Sequence, residues 1–323
     1  MGEKTLNWGL IGAGDIARKR VAPALATLEN CRLVAVSRNR AALAEEFARE
    51  FGAPKWFADW AALVADGEVA AVYIATPVFL HAEQTIRAAE AGRHILCEKP
   101  LALNAAECGR MIDAARANGV RLGVAYYRRF YPLVRRVREI LASGMLGKIA
   151  FARIDAFEFF DPAPDHPRRW LLDPAQSGGG PLMDFGCHRL EVLTDLFGAV
   201  RAAKSLVANR VFGRAVEDTA LVLLEFENGA AAQLSVTHAA REPRDTLEIF
   251  GTRGSIHIPV LNGNKLNLII DGAETTEFHP PAANVHAPLI ADFTAAVLAG
   301  REPIVTAETG LAISKLTEKI YRD

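Results

Sequence analysis

Along the first 125 residues, short apolar runs alternate with segments whose apolar positions recur at helical spacing. Asn7–Ile11, Arg32–Val36, Ala70–Ala75, His94–Cys97 and Leu122–Ala125 read as strands, and Asp15–Leu28, Arg40–Phe51, Leu80–Ala91 and Asn104–Asn118 as helices. Strands that are apolar throughout and separated by helices predict a parallel sheet covered on both faces. Gly52, Gly92 and Gly119 stand where three of these helices should end, since glycine accepts the left-handed backbone of a helix C-terminus.

After Tyr126 the pattern changes. A helix over Leu133–Leu141 and a strand over Ile149–Phe157 precede a loop rich in Pro, Asp and Gly from Asp161 to Gly180, and a helix follows from Asp184 to Leu196. Short alternating segments then read as strands: Ala220–Glu227, Ala231–Thr237, Thr246–Phe250, Ser255–Ile258 and Leu266–Ile270. Turn pairs such as Asn228-Gly229 and Asn262-Gly263 separate them, as in an antiparallel sheet. Two helical stretches close the chain. The expected division is one domain over 1–125 and a second, α+β, over 126–323.

A chain of 323 residues exceeds one ordinary core and suits two. With 50% hydrophobic and 23% charged residues the composition is globular. A formal net charge of −1 and no basic stripe argue against nucleic acid or an anionic membrane surface as partner. No apolar run is long enough to span a bilayer. The four cysteines (Cys31, Cys97, Cys108, Cys187) have neither zinc-site nor disulfide-framework spacing. With no signal-peptide pattern, they read as reduced thiols of a cytoplasmic protein.

Candidate chemistry begins at the first strand–helix junction. Gly12, Gly14 and Ala17 spell G-x-G-x-x-A within a βαβ unit, the context that makes this pattern informative for dinucleotide binding. Gly12 permits the tight turn, Gly14 lets backbone approach a pyrophosphate, Ala17 lets helix and strand pack closely, and Asp15 and Ile16 open the helix whose N-terminus attracts phosphate. The second strand ends in Ser37-Arg38-Asn39-Arg40 with no carboxylate to hold a ribose 2′-hydroxyl. A serine hydroxyl and a guanidinium suit a 2′-phosphate, so NADP is expected over NAD. The alternative is that Arg38 only stacks on adenine and both cofactors bind.

At the end of the fourth strand stands Cys97-Glu98-Lys99-Pro100, at the carboxyl edge of the sheet where open α/β folds bind ligands. Together with the glycine turn, Thr76-Pro77 with His81 downstream, Arg128-Arg129-Phe130, and the Gly178-Gly179-Gly180…Asp184…Gly186…His188 segment, it resembles the glucose-fructose oxidoreductase/inositol dehydrogenase (Gfo/Idh/MocA) family over essentially the whole chain. The resemblance implies a Rossmann domain followed by a domain on a large, mostly antiparallel sheet. The open face of that sheet commonly forms a subunit interface, so a homodimer or homotetramer is implied. It also implies that Lys99 contacts the reacting substrate oxygen, that Glu98 helps hold the nicotinamide ribose, that His188 is the acid/base and that Asp184 orients the substrate. The chemistry agrees: an ammonium beside a developing alkoxide favours the transition state over the ground state. A histidine exchanges protons near neutral pH.

Asp184 and His188 are four residues apart and should share a helix face; read alone, Asp184 could merely cap the helix and His188 sit in the core. A metal set drawn from Asp165, His166, Asp184 and His188 matches no metal spacing, and no metal is expected. His81 should line the cofactor cleft with Thr76 and Pro77. Tyr126, Arg129 and Trp170 should stand near the substrate. Two departures from the family pattern are Val78, where Asn is frequent, and Leu171, where Arg is frequent; Arg168 or Arg169 could supply the missing guanidinium. The expected activity is therefore hydride transfer between NADP and a small-molecule substrate: a sugar, sugar-derived ketone or polyol. Another small diol or carbonyl compound, including a cyclic or aromatic diol, and a non-catalytic NADP(H) sensor are the alternatives.

Overall fold

The computed structural model describes residues 5–323, which form two compact units. The first comprises residues up to Tyr127 together with Ala282–Ser314, and the second comprises Arg128–Pro281 and Lys315–Asp323.

The first unit holds strands β1 (Leu6–Ile11), β2 (Cys31–Ser37), β3 (Lys55–Phe57), β4 (Ala71–Ile74), β5 (His94–Cys97) and β6 (Leu122–Val124). They form one parallel sheet in the order β3-β2-β1-β4-β5-β6. This is the doubly wound order, in which ligands bind outside the carboxyl ends of the strands where the order reverses. Helices α1 (Ala22–Thr27), α2 (Ala41–Phe51), α3 (Trp60–Ala65), α4 (His81–Glu90) and α5 (Ala105–Ala117) connect the strands. Gly52, Gly92 and Gly119 all have positive φ. The helix expected from Asp15 opens instead as a π-helical turn over Ala17–Val21, in which Ala22 N–H reaches back to the Ala17 carbonyl. Pro23 lacks an N–H and sits at the start of α1, a position where the widened turn accommodates it.

The second unit is built on eight strands: β7 (Ile149–Phe159), β8 (Val200–Ala208), β9 (Thr219–Phe226), β10 (Ala231–Thr237), β11 (Ala239–Gly251), β12 (Gly254–Ile258), β13 (Lys265–Ile270) and β14 (Ala273–Phe278). Their order is β14-β13-β12-β11-β7-β10-β9-β8, with only the β7–β10 pair parallel. The fold is thus α/β, a Rossmann unit and a mostly antiparallel sheet. Helices α6 (Pro132–Ser143), α7 (Pro174–Ser177) and α8 (Cys187–Phe197) belong to this unit. The strand expected over Thr246–Phe250 extends back to Ala239, past Glu242-Pro243. The register shift between Ala239 and Arg244 places that proline in an irregular stretch, where no ladder N–H is required.

The expected assignment of everything after residue 125 to a second domain needs one correction. Residues 282–314, including α9 (Ala287–Ala299) and the first half of α10 (Ala307–Arg322), pack into the first unit. Phe293 of α9 lies 5.6 Å from the Trp8 ring and faces Gly123 so closely that an added Cβ would stand 3.0 Å from its ring. Arg121 donates to the Gly300 carbonyl at 2.8 Å. An amphipathic helix buries its apolar face wherever the complementary surface lies, which chain order does not dictate.

Candidate functional site

In the first unit, residues of the β1, β2 and β4 carboxyl ends line a cavity of about 230 Å³ with Trp60 and Gln84. Gly12 has φ +91°, and a Cβ there would stand 2.8 Å from the backbone of Ala75. Its N–H and that of Ala13 both reach the Ser37 carbonyl, at 3.1 and 3.2 Å, tying the glycine turn to the end of β2. Gly14 has nothing within 4 Å of an added Cβ, so its face is open. Ser37 lines the cavity at 1% exposure, and its hydroxyl has no partner in the protein. A buried hydroxyl in that state is costly until a ligand or water satisfies it. Arg38 donates from Nη1 to the Ala13 carbonyl at 3.0 Å, which holds its guanidinium over the same turn. These features, an orphaned hydroxyl and a cradle that a Cβ at Gly14 would fill, fit a bound dinucleotide. Asp15 and Ile16, expected at the cofactor, are exposed, and Asp15 pairs with Lys19 at 3.0 Å.

Thr76 and Pro77 line the cavity, with Thr76 Oγ1 donating to Gln84 at 2.7 Å. His81 does not line it. Its ring is fully buried, with Nδ1 3.0 Å from the Pro100 carbonyl and Nε2 2.9 Å from that of Thr76. It braces two loops against each other, and burial holds its pKa below the ordinary value despite those carbonyls.

The Glu98-Lys99-Pro100 turn leaves β5 with Glu98 N–H still bonded to Ile74, followed by a cis Lys99–Pro100 bond. The buried Glu98 carboxylate accepts from the Tyr73 hydroxyl at 2.8 Å and from the Lys99 N–H at 3.2 Å. His286 Nε2 lies 3.4 Å from it, and the Tyr127 ring covers His286 at 4.6 Å. Burial works to raise the Glu98 pKa, but His286, Lys99 and Tyr73 outweigh it and hold the carboxyl below its usual range. The residues that fix the motif, Tyr73 and His286, carry no sequence signal: one is a strand residue and the other lies 188 positions away.

In the second unit, Gly178–Gly180 lead into a π-helical turn (Leu182–Gly186) carrying Asp184, and α8 follows with His188 in its first turn. Glu217 anchors this segment. Its carboxylate accepts from Gly180 N–H at 2.7 Å, Leu182 N–H at 3.0 Å and the Tyr321 hydroxyl at 2.9 Å. A Cβ on Gly179 would collide with the Tyr321 hydroxyl, and one on Gly180 with the Glu217 backbone carbonyl. Inside this unit the immediate reason for these glycines is Glu217 and Tyr321.

Arg168 donates to Asp184 at 3.0 Å while lying over the Phe160 ring. Arg169 turns away to the Pro162 carbonyl. Trp170 is half-buried on the turn Arg169–Leu172. His238 is 0% exposed between the rings of Phe160 and Phe185, with Nε2 3.5 Å from Glu158 and 3.9 Å from Asp184. Burial, reinforced by Arg214 and Arg168, pulls its pKa down to about 4 despite Asp184. Neither His238 nor Glu158 was expected. Asp165 and His166 do not join them: among the described residues, the one group of three that could hold a metal ion is Glu158, Asp184 and His238.

Tyr126 is buried. The Arg129 guanidinium is committed to Glu191 at 2.7 Å and Asp195 at 3.2 Å, both on α8. Burial raises the Glu191 carboxyl to about 7, with Arg129 opposing the rise.

Comparison with known proteins covers both units. Residues 6–126 match the GFO/IDH/MocA oxidoreductase family model with a NAD-binding Rossmann fold, and residues 134–257 match the GFO/IDH/MocA C-terminal domain. The mouse trans-1,2-dihydrobenzene-1,2-diol dehydrogenase is 34% identical over 278 residues, covering 85% of this chain and 80% of its own. The 1,5-anhydro-D-fructose reductase of Ensifer adhaerens is 31% identical, covering 95% of each chain. Among solved structures, levoglucosan dehydrogenase in complex with NADH and levoglucosan superposes with a TM-score of 0.90 at 26% identity, covering 99% of this chain and 97% of its own.

Proposed function

The chain belongs to the Gfo/Idh/MocA oxidoreductases, and we propose that it moves a hydride between NADP(H) and a carbinol or carbonyl carbon of a sugar, a sugar-derived ketone or polyol, or a cyclic diol. The substrate class rests on its relatives, whose names specify a dihydrobenzenediol, an anhydrofructose and levoglucosan. All three are small ring compounds, which points to a pocket that reads ring hydroxyls.

The observation that carries the cofactor reading is the buried, unpartnered Ser37 hydroxyl beside Arg38, with no carboxylate at the end of β2. A hydroxyl donor and a guanidinium satisfy a 2′-phosphate; a 2′-hydroxyl would leave the guanidinium without an anionic partner. The Gly12–Gly14 turn holds the pyrophosphate and Glu98 the nicotinamide ribose. The bound nicotinamide supplies or takes up the hydride. Lys99 places its ammonium at the reacting oxygen and stabilises the alkoxide that develops there. His188 exchanges the proton of that hydroxyl, and Asp184, held by Arg168, orients a neighbouring hydroxyl. The exposed apolar positions Leu206, Leu221 and Leu223 on the second-unit sheet are the surface we assign to pairing with a second copy.

Fluorescence titration with NADPH and NADH, followed by turnover assays on levoglucosan, 1,5-anhydrofructose and trans-dihydrobenzenediol, tests the reading. NADPH should bind at least about tenfold tighter than NADH, the effect of one charge-assisted bond. Lys99→Met should keep NADPH binding and lose turnover by about 10²–10³, the effect of removing one transition-state charge partner. Equal affinity for both cofactors overturns the NADP preference, and near-wild-type turnover in Lys99→Met overturns the mechanism.

A further inference from the structure

We infer that Glu158, Asp184 and His238 form a binding site for a divalent transition metal of the zinc class, with a coordination position left open. Nothing in the hydride-transfer chemistry requires this site. It is argued from the donor atoms alone.

The three ligand atoms lie within 4.8 Å of one another. His238 is completely buried, and neither ring nitrogen has a hydrogen-bond partner. Its Nε2 faces the two carboxylates, 3.5 Å from Glu158 Oε1 and 3.9 Å from Asp184 Oδ2. A zinc ion sits about 2.1 Å from nitrogen and oxygen donors, so two donors of one ion stand about 3.4 Å apart at the tetrahedral angle and at most about 4.2 Å apart. Both measured separations fall in that window. The third pair needs at most a carboxylate shift of about 0.6 Å to reach it. One imidazole and two carboxylates are a donor set suited to zinc, cobalt or nickel rather than to magnesium or calcium, which take oxygen alone.

The rings of Phe160 and Phe185 flank the imidazole; the Glu158 side chain is half-exposed, while the Oε1 that faces the imidazole is buried. The local cations do not forbid a metal. Arg214 is committed to Asp161 and the Phe160 carbonyl. Arg168 is the competitor: it holds Asp184 Oδ2 at 3.0 Å but is half-exposed and free to swing outward. A doubly charged ion that displaces one guanidinium gains charge opposite two carboxylates. Because Asp184 is the substrate-orienting carboxylate in the function proposed above, zinc bound here should inhibit turnover in competition with the sugar or diol and not with the dinucleotide. That consequence rests on the functional reading, whereas metal binding does not.

The test is calorimetric titration of EDTA-treated full-length protein with Zn²⁺, without substrate or dinucleotide, repeated with Co²⁺ to record its visible ligand-field bands. One saturating equivalent per chain is expected. His238→Ala and Glu158→Gln should each weaken it at least about 30-fold, within the range for losing one metal-site contact. Arg168→Ala should tighten it by removing the competing cation. No saturable binding, or binding unchanged in both His238→Ala and Glu158→Gln, overturns the site. If His238→Ala fails to fold, Glu158→Gln and Arg168→Ala decide, since both alter partly exposed side chains. Metal binding without turnover on any substrate would leave the site standing and remove the functional reading, so the two failures are separable.

Discussion

Gly12 and Gly14 look alike in the glycine-rich turn, yet the structure separates them, and alanine at each should fail in a different way. Gly12 has φ +91°, and a Cβ would stand 2.8 Å from both C and O of Ala75 and 2.9 Å from Thr76 Cγ2. A left-handed backbone costs an L-residue about 1–2 kcal/mol, and a close contact with backbone that cannot swing away adds about 1–3 kcal/mol. Gly12→Ala should therefore lose about 2–5 kcal/mol, which at about 2–4 °C per kcal/mol for a unit of this size lowers Tm by about 4–20 °C. Gly14 has ordinary φ and no atom within 4 Å of an added Cβ. Gly14→Ala should leave stability within about 0.5 kcal/mol, or raise it slightly through the unfolded state. Its cost should appear only when a pyrophosphate approaches: NADPH affinity should fall at least about tenfold, the scale of one lost or displaced phosphate contact. Thermal denaturation of the apo proteins and fluorescence titration with NADPH measure the two effects independently. Gly14→Ala binding NADPH like the wild type would refute the placement of the pyrophosphate; Gly12→Ala melting like the wild type would refute the strain argument.

Three further outcomes are expected. Gly180→Ala drives a methyl into the Glu217 carbonyl; Tm should fall by about 4–12 °C for an overpacking cost of about 2–3 kcal/mol, with kcat at least tenfold lower and NADPH affinity within about twofold. The Arg136–Glu277 pair, at 2.7 and 2.9 Å, holds the Glu277 carboxyl down to about 2. Its folded pKa lies below the ordinary 4.5, so its stabilisation is fully present above pH 4.5 and is lost as pH falls toward and through 2; the unfolding free energies of wild type and Glu277→Gln from urea titration should differ by about 1 kcal/mol at pH 6, with most of that difference gone at pH 2. Leu223, 60% exposed on the β9 face, should be covered by a second copy, and Leu223→Asp should shift the light-scattering mass toward the monomer with the circular dichroism spectrum unchanged.

The parallel sheet was legible because buried β strands leave uninterrupted apolar runs, as in Arg32–Val36, while β3, three residues long, is too short to leave a pattern. The return of α9 to the first unit was not legible. Its apolar stripe reveals that it packs, and only the cleft beside Trp8 and Gly123 reveals where. At the candidate site, the motifs pointed to Glu98, Lys99, Asp184 and His188, whereas the immediate neighbours of His81 and Arg129 could not be read from them. Proximity in sequence to a motif places a backbone, whereas the role of a side chain depends on what it meets. His81 meets two carbonyls and Arg129 meets two carboxylates. His238 follows a plain alternating strand, and no spacing rule connects it to Glu158 eighty residues earlier.

The pairing of Arg129 with α8 has its own physical logic. A buried carboxylate is expensive, and Glu191 at 0% exposure would be a liability on α8 were it not for that guanidinium. Glu217 is likewise buried, and is sustained by two backbone N–H groups and the Tyr321 hydroxyl. Glu217 grips the segment at Gly180 and Leu182; Arg129 grips it at Glu191 and Asp195. Asp184 and His188 lie between these two clamps, on a stretch fixed at both ends by charged hydrogen bonds that an apolar pair could not aim. Apolar packing would hold α8 as firmly, but it tolerates sliding and rotation that directional bonds do not. In the function proposed for Asp184 and His188, a residue must meet a substrate hydroxyl within a few tenths of an ångström, which needs the latter; on that reading the cost of burying two carboxylates is what an orienting scaffold requires.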